Sequence, residues 1–525
     1  MSDALAELLA VIEKMTPAEK AALDKQIGPE LKDGWRRFPD KLARLRGGFY
    51  DIKDKTGKHI PFVMNADQED FILNRHGLDV ILKARQRGFT TVIQLDMLDD
   101  CLFIPNISAG VIAHNLKDAK AFFHDKIKFA YDNLPESFRK EVVAEQDSAD
   151  SLRFNNGSSI RVGTSLRSGT LQRLHVSEYG KLCAKYPDRA EEVRTGAFNT
   201  VHVGQVITVE STAEGRAGGY YDLVKRSRDL ETRNRALTAL DFKFHFYPWW
   251  ADDGYVLDGD VPVTSEDAEY FAKLEKDGIS LSARQRAWYI KKAEQQGEKM
   301  RQEFPSTPDE AFESAMEGAY FAPQMRKMRA DGRICRVPIL DREVYTTWDL
   351  GINDEMSITF WQDFGLERRA IDYYSNSGEG FGFYARILKD KGYNYSRHLM
   401  PHDADQRRLG VDAKSAKQHA EDVGIRPITV LKRIAEERDG IEASRAFFPQ
   451  VWVDEERCSG LIACLDGYRR EWDDKLAVWK DRPVHDQFSH GYKSFESAAI
   501  APAEEKPKPK IRVAQPVSGG GWMGR

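Results

Sequence analysis

Several features are scarce or missing in this sequence, and each absence narrows what the chain can be. Only five cysteines occur among 525 residues, and none has Cys-x-x-Cys spacing, which argues against a disulfide framework and favours a reducing compartment. No apolar run approaches the roughly 20 residues that cross a membrane, and the N-terminus lacks the basic-then-apolar pattern of a secretion signal. We therefore expect a soluble, cytoplasmic protein.

A large excess of charge of one sign is also missing. The formal net charge is −5 although 31% of the residues are charged, so overall charge does not indicate nucleic-acid binding. A surface that binds DNA would have to gather its basic residues on one face. The hydrophobic fraction of 41% is that of globular domains, and the length suffices for about two to four of them.

The most informative segment is the run Lys-Ala-Arg-Gln-Arg-Gly-Phe-Thr-Thr at positions 83–91. It follows the apolar run Val80–Leu82, a predicted strand, and precedes a predicted helix. Strand, glycine-bearing turn and helix bind phosphate in nucleotide hydrolases, because loop amides hold the anion and a hydroxyl reaches Mg²⁺. Phe89 stands where the usual consensus has lysine, so the cation must come from the start of the loop. The candidate nucleotide-binding residues are Lys83, Arg85, Gln86, Arg87, Gly88, Thr90 and Thr91; the alternative is a basic turn without a ligand.

Two later predicted strands also end in residues suited to a nucleotide site. Leu174–Glu178 ends in an acid that can polarise the attacking water, which makes Glu178 the candidate catalytic base. Ser177 stands where many nucleotide hydrolases have aspartate, and a serine binds Mg²⁺ weakly. Val206–Thr212 ends in hydroxyls, and Thr212 can sense the γ-phosphate or simply cap a helix.

This ordered series, with Thr346–Gly351, Pro401–Asp403 and Pro483–His490 after it, resembles the large terminase subunit of tailed bacteriophages. The resemblance runs from roughly residue 60 to residue 497. It implies an α/β protein with two parts. The first is a P-loop ATPase with a parallel sheet that drives double-stranded viral DNA into a procapsid. The second is an RNase H-like α/β nuclease that cuts concatemeric DNA.

The resemblance and the composition together predict four segments. Residues 1–45 are expected to form a small helical element, 46–335 the ATPase domain, 336–500 the nuclease domain and 501–525 a disordered basic tail. The charged stretch 456–480 is predicted to be an amphipathic helix.

The resemblance also assigns roles in the ATPase site, with ATP and Mg²⁺ as cofactors. Gln68 lies in a region where the family has a glutamine, so it is the predicted adenine contact. Lys83 is the predicted phosphate cation, because some family members carry the lysine at the loop's start. Arg167 precedes the acid strand, where the family often has an arginine that reaches a neighbouring subunit's nucleotide.

Two-metal cleavage of phosphodiesters requires several converging carboxylates, and Mg²⁺ or Mn²⁺ would serve. Asp349 and Asp403, each at a predicted strand end, are the first two candidate ligands. At the third position the family usually has an aspartate, whereas this chain has Lys493, which cannot bind Mg²⁺ when charged. Three interpretations stay open: Asp486 substitutes with help from His490, the nuclease is weakened, or cleavage is disabled.

The resemblance further implies the partners and the location. The partners would be double-stranded viral DNA, the small terminase subunit, the portal protein and further copies of this chain in a ring, expected to be a pentamer. The protein would act in the host cytoplasm, dock transiently on the procapsid and be absent from the mature virion. Alternative functions are a helicase-like DNA-processing ATPase and a packaging translocase with an inactive nuclease.

Overall fold

The structure is a computed structural model that describes residues 38–167, 169–313, 317–351, 355–406, 414–473, 475–476 and 478–501. Most of the predicted N-terminal helical element and the predicted tail lie outside these residues. The chain divides into two compact units, Met1–Ala322 with Leu465–Asp486, and Pro323–Cys464 with Gln487–Arg525. The N-terminal stretch of the first unit thus ends at Ala322, and the predicted domain bounds stay predictions.

The first unit is built on a large sheet and a small ribbon. Its strands in chain order are β1 (Asp51–Lys53), β2 (His59–Pro61), β3 (Leu78–Lys83), β4 (Ser108–Ile112), β5 (Ala144–Asp147), β6 (Ser151–Phe154), β7 (Ser159–Gly163), β8 (Leu171–Ser177), β9 (Val201–Ser211) and β10 (Lys243–Tyr247). β1 and β2 form the antiparallel ribbon, and the others form one sheet in the order β10-β3-β9-β8-β4-β7-β6-β5. The strands from β10 to β7 are parallel, whereas β6 and β5 are antiparallel additions at one edge.

The apolar runs of the sequence form the middle of this sheet, as predicted. Val80, Ile81 and Leu82 in β3 are fully buried, as is Val176 in β8, because helices cover both faces of a parallel sheet. The helices are α1 (Lys41–Arg46), α2 (Ala66–Asn74), α3 (Phe89–Phe103), α4 (Leu116–Phe122), α5 (Phe129–Asp132), α6 (Glu136–Glu141), α7 (Tyr179–Lys185), α8 (Pro187–Glu192), α9 (Gly219–Thr232), α10 (Ser265–Lys276), α11 (Ala283–Gln296), α12 (Met300–Glu303) and α13 (Pro308–Ala311).

The second unit contains a seven-stranded mixed sheet. Its strands are β11 (Ile334–Cys335), β12 (Val344–Asp349), β13 (Glu355–Phe364), β14 (Glu367–Ser377), β15 (Tyr395–Met400), β16 (Ile428–Val430) and β17 (Val451–Asp454), in the order β11-β17-β14-β13-β12-β15-β16. β13 is antiparallel to both of its neighbours, and β12, β15 and β16 are parallel. This mixed sheet with its helices agrees with the predicted α/β class.

Further helices follow α13 in the sequence, and most of them accompany the second sheet. They are α14 (Ala322–Ala330), α15 (Phe381–Lys391), α16 (Ala416–Asp422), α17 (Glu437–Phe447), α18 (Ser459–Gly467) and α19 (Gln487–Ala499). Among the described residues, no helix is both long enough and apolar enough to cross a bilayer.

The predicted amphipathic helix over 456–480 is wrong beyond Gly467. There the chain forms an antiparallel hairpin of β18 (Arg470–Asp473) and β19 (Val478–Pro483), which belongs to the first unit. Trp472 and Trp479 are paired across the hairpin with ring centroids 5.0 Å apart. Cross-strand aromatic pairs of this kind stabilise a hairpin, and the charges in the stretch misleadingly indicated a helix face.

Candidate functional site

Three neighbouring parallel strands bring the predicted nucleotide residues to one edge of the first sheet. β9 lies between β3 and β8, so the carboxyl ends of all three strands point the same way. Ligands of open α/β sheets bind at this edge. Lys83 ends β3, Ser177 ends β8 with Glu178 directly after it, and Ser211 ends β9.

The loop between β3 and α3 makes the tight turn that its glycine predicted. Gly88 lies directly before α3 with a φ of 76°, and Gln86 has a φ of 61°. A Cβ atom at Gly88 would come within 2.5 Å of Nε2 of Gln68, so a larger residue would displace that amide. The 15-residue helix α3 begins here and presents an N-terminus of the kind that binds phosphate.

Lys83 is a buried cation between two carboxylates. The residue is 5% exposed, and its Nζ lies 3.1 Å from Oε2 of Glu210 and 3.4 Å from Oε1 of Glu178. Burial by itself would lower the pKa of the ammonium, but the two carboxylates outweigh burial and raise the pKa above its usual value. The site therefore holds a permanent positive charge where the sequence predicted the phosphate cation.

Glu178 occupies a strained corner between β8 and α7. Its φ of 55° is left-handed, a conformation that non-glycine residues adopt rarely and often at functional sites. Its Oε2 lies 3.0 Å from Nζ of Lys181. Burial would raise the pKa of the carboxyl group, but Lys83 and Lys181 lower it below the usual value. Glu178 is therefore ionised at neutral pH, as a catalytic base must be.

Glu210 is a central residue of the site that was not among the sequence-based candidates. It is fully buried on β9, and its Oε1 accepts hydrogen bonds of 2.7 Å from the hydroxyls of Thr90 and Ser177. Nε2 of His175 lies 3.5 Å from the same oxygen. The signal in the sequence is a lone acid inside the apolar strand that precedes Ser211, where an unpaired carboxylate would be costly.

The environment of Glu210 keeps it charged. Burial would raise the pKa of its carboxyl group, but Lys83, together with the nearby imidazole of His175 and the hydrogen bond from Ser177, holds the pKa well below the usual value.

Gln68 is engaged with the phosphate loop itself. Its Nε2 donates to the carbonyl of Gly88 at 3.0 Å, and its Oε1 accepts from the amide of Asn65 in a capping box at the start of α2. The glutamine thus braces the turn before α3. Its role as the adenine contact stays a prediction.

The two loop arginines have acidic partners within the same unit. Nη1 of Arg85 lies 2.9 Å from Oε2 of Glu303, and Nη1 of Arg87 lies 2.9 Å from Oδ2 of Asp252. Arg87 is also paired with Asp67. Both guanidinium groups hold the loop to its surroundings, so Lys83 is the loop cation in contact with Glu178 and Glu210.

Arg167 stands apart from these contacts. Its side chain is 62% exposed, and its Nε lies 2.6 Å from Oε1 of Glu192. The predicted reach to a neighbouring subunit stays a prediction that fits this exposure.

A buried hydroxyl without a partner indicates where a ligand would fit. Oγ1 of Thr212 is buried and has no hydrogen-bond partner in the described part of the chain. Buried polar atoms are nearly always paired in folded proteins. The Lys83 ammonium and the Thr90 hydroxyl, which both contact Glu210, fit a nucleoside triphosphate with Mg²⁺. The part of Thr212, which follows directly after β9, stays a prediction.

The second unit brings three of the predicted nuclease residues together. Asp349 ends β12, and Asp403 lies in the 3-10 turn His402–Asp405 that follows the neighbouring parallel strand β15. Nδ1 of His490, on α19, lies 3.0 Å from Oδ2 of Asp349. Burial raises the pKa of Asp349 above its usual value, the imidazole of His490 opposes this rise, and the nearby Asp403 adds to it.

Lys493, which stands in place of the family's aspartate, is matched by two carboxylates. Its Nζ lies 2.7 Å from Oε1 of Glu437 and 2.9 Å from Oε2 of Glu496. Burial would lower the pKa of its ammonium group, but Glu496 and Glu437 raise it. Lys493 is therefore charged and unable to bind a metal ion.

Asp486 belongs to the first unit. Its Oδ2 accepts a hydrogen bond of 2.9 Å from Nη1 of Arg469, which is 1% exposed. The guanidinium of Arg469 thus pairs with the carboxylate that was predicted to bind metal. The role of Asp486 as a metal ligand stays a prediction.

Within the described part of the chain, no group of three or more His, Cys, Asp and Glu side chains is arranged to hold a metal ion. Residues 407–413, which follow the 3-10 turn, lie outside the description. Asp349, Asp403 and His490 therefore form a partial donor set, and their roles as metal ligands, like that of Thr90, stay predictions.

No family model matches the sequence, and no curated protein matches it. Solved structures do match. The large terminase of bacteriophage HK97 is 12% identical, with 88% of this chain and 98% of that chain covered and a TM-score of 0.44. The large terminase of a thermophilic bacteriophage in complex with ATP-gamma-S is 12% identical, with 80% and 93% covered and a TM-score of 0.28. The cobalt-bound large terminase nuclease of the thermophilic phage G20c is 14% identical, with 35% and 97% covered and a TM-score of 0.24. All three structures are named as large terminases or their nuclease, the family that the motif series of this chain resembles.

Proposed function

We propose that this chain is an ATP-driven motor that moves double-stranded viral DNA into a procapsid and cuts concatemeric DNA. The observation that carries the proposal is the position of Lys83, whose ammonium lies between Glu178 and Glu210 at the carboxyl edge of the first sheet. A buried cation at the start of a helix-capped loop, with a charged carboxylate beside it, supports phosphoryl transfer to water.

Each residue of this site has a distinct part in the proposed hydrolysis. Lys83 and the N-terminus of α3 hold the β- and γ-phosphates of ATP. Glu178 accepts a proton from the water that attacks the γ-phosphorus, and the bond to the leaving oxygen of ADP breaks. The Thr90 hydroxyl would help to hold Mg²⁺, which would supply neutralisation of the phosphate charge. Thr212 donates its free hydroxyl to the γ-phosphate, and Arg167 reaches the nucleotide of a neighbouring copy.

The test of the ATPase compares Glu178→Gln with the unaltered chain. Without the carboxylate no base takes the proton, so we expect phosphate release to fall at least about a hundredfold. Binding of a fluorescent ATP analogue should persist. Glu191→Gln, which alters an exposed glutamate that pairs with Arg194, is the matched control. Turnover retained in Glu178→Gln would refute the assignment.

The proposed nuclease uses Asp349 and Asp403, with His490 in contact with Asp349. Their carboxylates would hold Mg²⁺ or Mn²⁺, which supplies Lewis-acid activation of water and phosphate. Plasmid cleavage should occur with either ion and disappear in Asp349→Ala. Asp390→Ala, on the exposed face of α15, should cut normally.

A packaging translocase with an inactive nuclease is the second candidate. The contacts that favour it are those of Lys493 with Glu437 and Glu496, and of Asp486 with Arg469. Failure of the unaltered chain to cut plasmid with either ion, while it hydrolyses ATP, would establish this alternative.

The proposed partners are those of a packaging motor. They are double-stranded DNA, a small terminase subunit, the portal protein of a procapsid and further copies of this chain in a ring. DNA-stimulated ATP hydrolysis is the first measurement that would support this part of the proposal.

A further inference from the structure

The strand that precedes Glu178, the proposed base, ends in a serine where many nucleotide hydrolases have an acid. Ser177 ends β8, and a serine hydroxyl is a weak magnesium ligand. In the parallel pairing of β8 with β9, the residue opposite Ser177 is Glu210. The neighbouring strand thus places a carboxylate at the same level of the sheet.

Glu210 contacts two hydroxyls of the candidate nucleotide site. Its Oε1 accepts 2.7 Å hydrogen bonds from Thr90, the predicted magnesium hydroxyl of the loop, and from Ser177. Its Oε2 lies 3.1 Å from Nζ of Lys83, the predicted phosphate cation. One carboxylate therefore joins the loop, the start of α3 and the end of β8.

We propose that Glu210 positions the magnesium ion of the bound nucleotide, acting through the hydroxyls of Thr90 and Ser177 in place of an acid on β8. This inference rests on the proposed function, because it requires a site that binds magnesium nucleotide. Glu210 is a positioning residue, and Glu178 remains the base. The two acids that share Lys83 thus have separate tasks.

A role as a simple counterion for Lys83 would not explain the contacts of Glu210. Glu178 also lies within ion-pair distance of the ammonium, so either acid could neutralise it. The convergence of two hydroxyl donors on one oxygen distinguishes Glu210, because an ionised carboxylate orients such hydroxyls with their lone pairs turned away from it. Those lone pairs are what a magnesium ion or its bound water requires.

The test measures how much Mg²⁺ strengthens the binding of a fluorescent ATP analogue to the full chain, with and without EDTA. Loss of a residue that orients metal ligands lowers metal affinity about 10- to 100-fold. We expect Glu210→Gln to lose most of the magnesium effect and to keep metal-free binding. Glu178→Gln, the matched loss of the other Lys83 partner, should keep the magnesium effect. Ser177→Asp combined with Glu210→Gln, which moves the acid back to β8, should restore it.

The outcomes separate the two claims. If the unaltered chain binds no nucleotide, the proposed function fails and the inference fails with it. If the unaltered chain binds nucleotide and Glu210→Gln keeps the full magnesium effect, or if both acid variants lose it equally, only the inference is overturned. If Glu210→Gln does not fold, Glu210→Asp keeps a negative charge at this position but shortens the side chain by one methylene group, which withdraws the carboxylate from the hydroxyls of Thr90 and Ser177. The magnesium effect should then fall in Glu210→Asp, and an unchanged effect would overturn the inference.

Discussion

The imidazole of His490 and the carboxylate of Asp349 lie 3.0 Å apart, from Nδ1 to Oδ2. α19 brings the histidine to the end of β12, and both side chains are largely enclosed. The contact orients the carboxylate that we propose as the principal ligand of the nuclease site. Its effect can be measured as metal affinity.

His490→Gln should weaken Mn²⁺ binding by about tenfold, because partners that orient metal ligands contribute that much. Isothermal titration of the full chain with Mn²⁺ in the absence of nucleotide would measure it. His419→Gln, on the exposed surface of α16, is the control. Equal affinities in all three proteins would show that His490 does not position Asp349 for metal.

Asp486→Asn should destabilise the first unit more than it changes DNA cleavage. It removes the carboxylate that pairs with the buried guanidinium of Arg469, and breaking one side of a buried pair costs about 3 to 5 kcal/mol. Urea unfolding would show this loss. Abolished cleavage by a variant that is still folded would instead support Asp486 as a metal ligand.

Stability should fall between about pH 4.5 and pH 7 because of Glu214. Burial, with Glu317 nearby, raises the pKa of this carboxyl group from 4.5 to about 7. The native state therefore keeps a proton that the unfolded chain loses, and ionisation opposes folding. Glu214→Gln should remove this dependence and be more stable at pH 8 by up to about 3 kcal/mol. Melting curves from pH 5 to 8 would measure it, with the exposed Glu275→Gln as control. Parallel curves for all three proteins would contradict the prediction.

Asp99→Asn should destabilise the contact between α1 and α3. Asp99 is 1% exposed. It accepts from Nε and Nη2 of Arg44 at 2.6 and 2.8 Å and from the hydroxyl of Tyr50 at 2.7 Å. The substitution leaves a buried cation unpaired, at a cost of about 3 to 5 kcal/mol. Adding Arg44→Met removes that cation and should recover much of the loss in urea unfolding. No recovery would mean that the hydrogen bonds, rather than the charge, carry the stability.

Local patterns were sufficient to predict the elements that carry the first site. The apolar run before Lys83, the glycine at 88 and the acid at 178 indicated β3, the turn and the end of β8, and the structure has each of them. Glu210 escaped because its importance depends on β9 lying between β3 and β8. The sequence of a single strand does not determine which strands lie beside it in the sheet. The hairpin of β18 and β19 was not predicted for a related reason. Trp472 and Trp479 pair across its two strands, and a helical pattern does not place these two residues in contact.

The sequence by itself determined where chemistry is available: a cation at the start of a loop, acids at strand ends, and a lysine at position 493 that cannot bind metal. These depend on residue type and on neighbours along the chain. Only the tertiary structure decided which charges meet. Lys83 lies beside Glu178 and Glu210 because neighbouring parallel strands bring their carboxyl ends to one edge of the sheet. Asp486 pairs with Arg469 because the fold buries the two side chains together. Burial and the neighbouring charges then set the pKa of each of these groups, and so decide which of them are ionised.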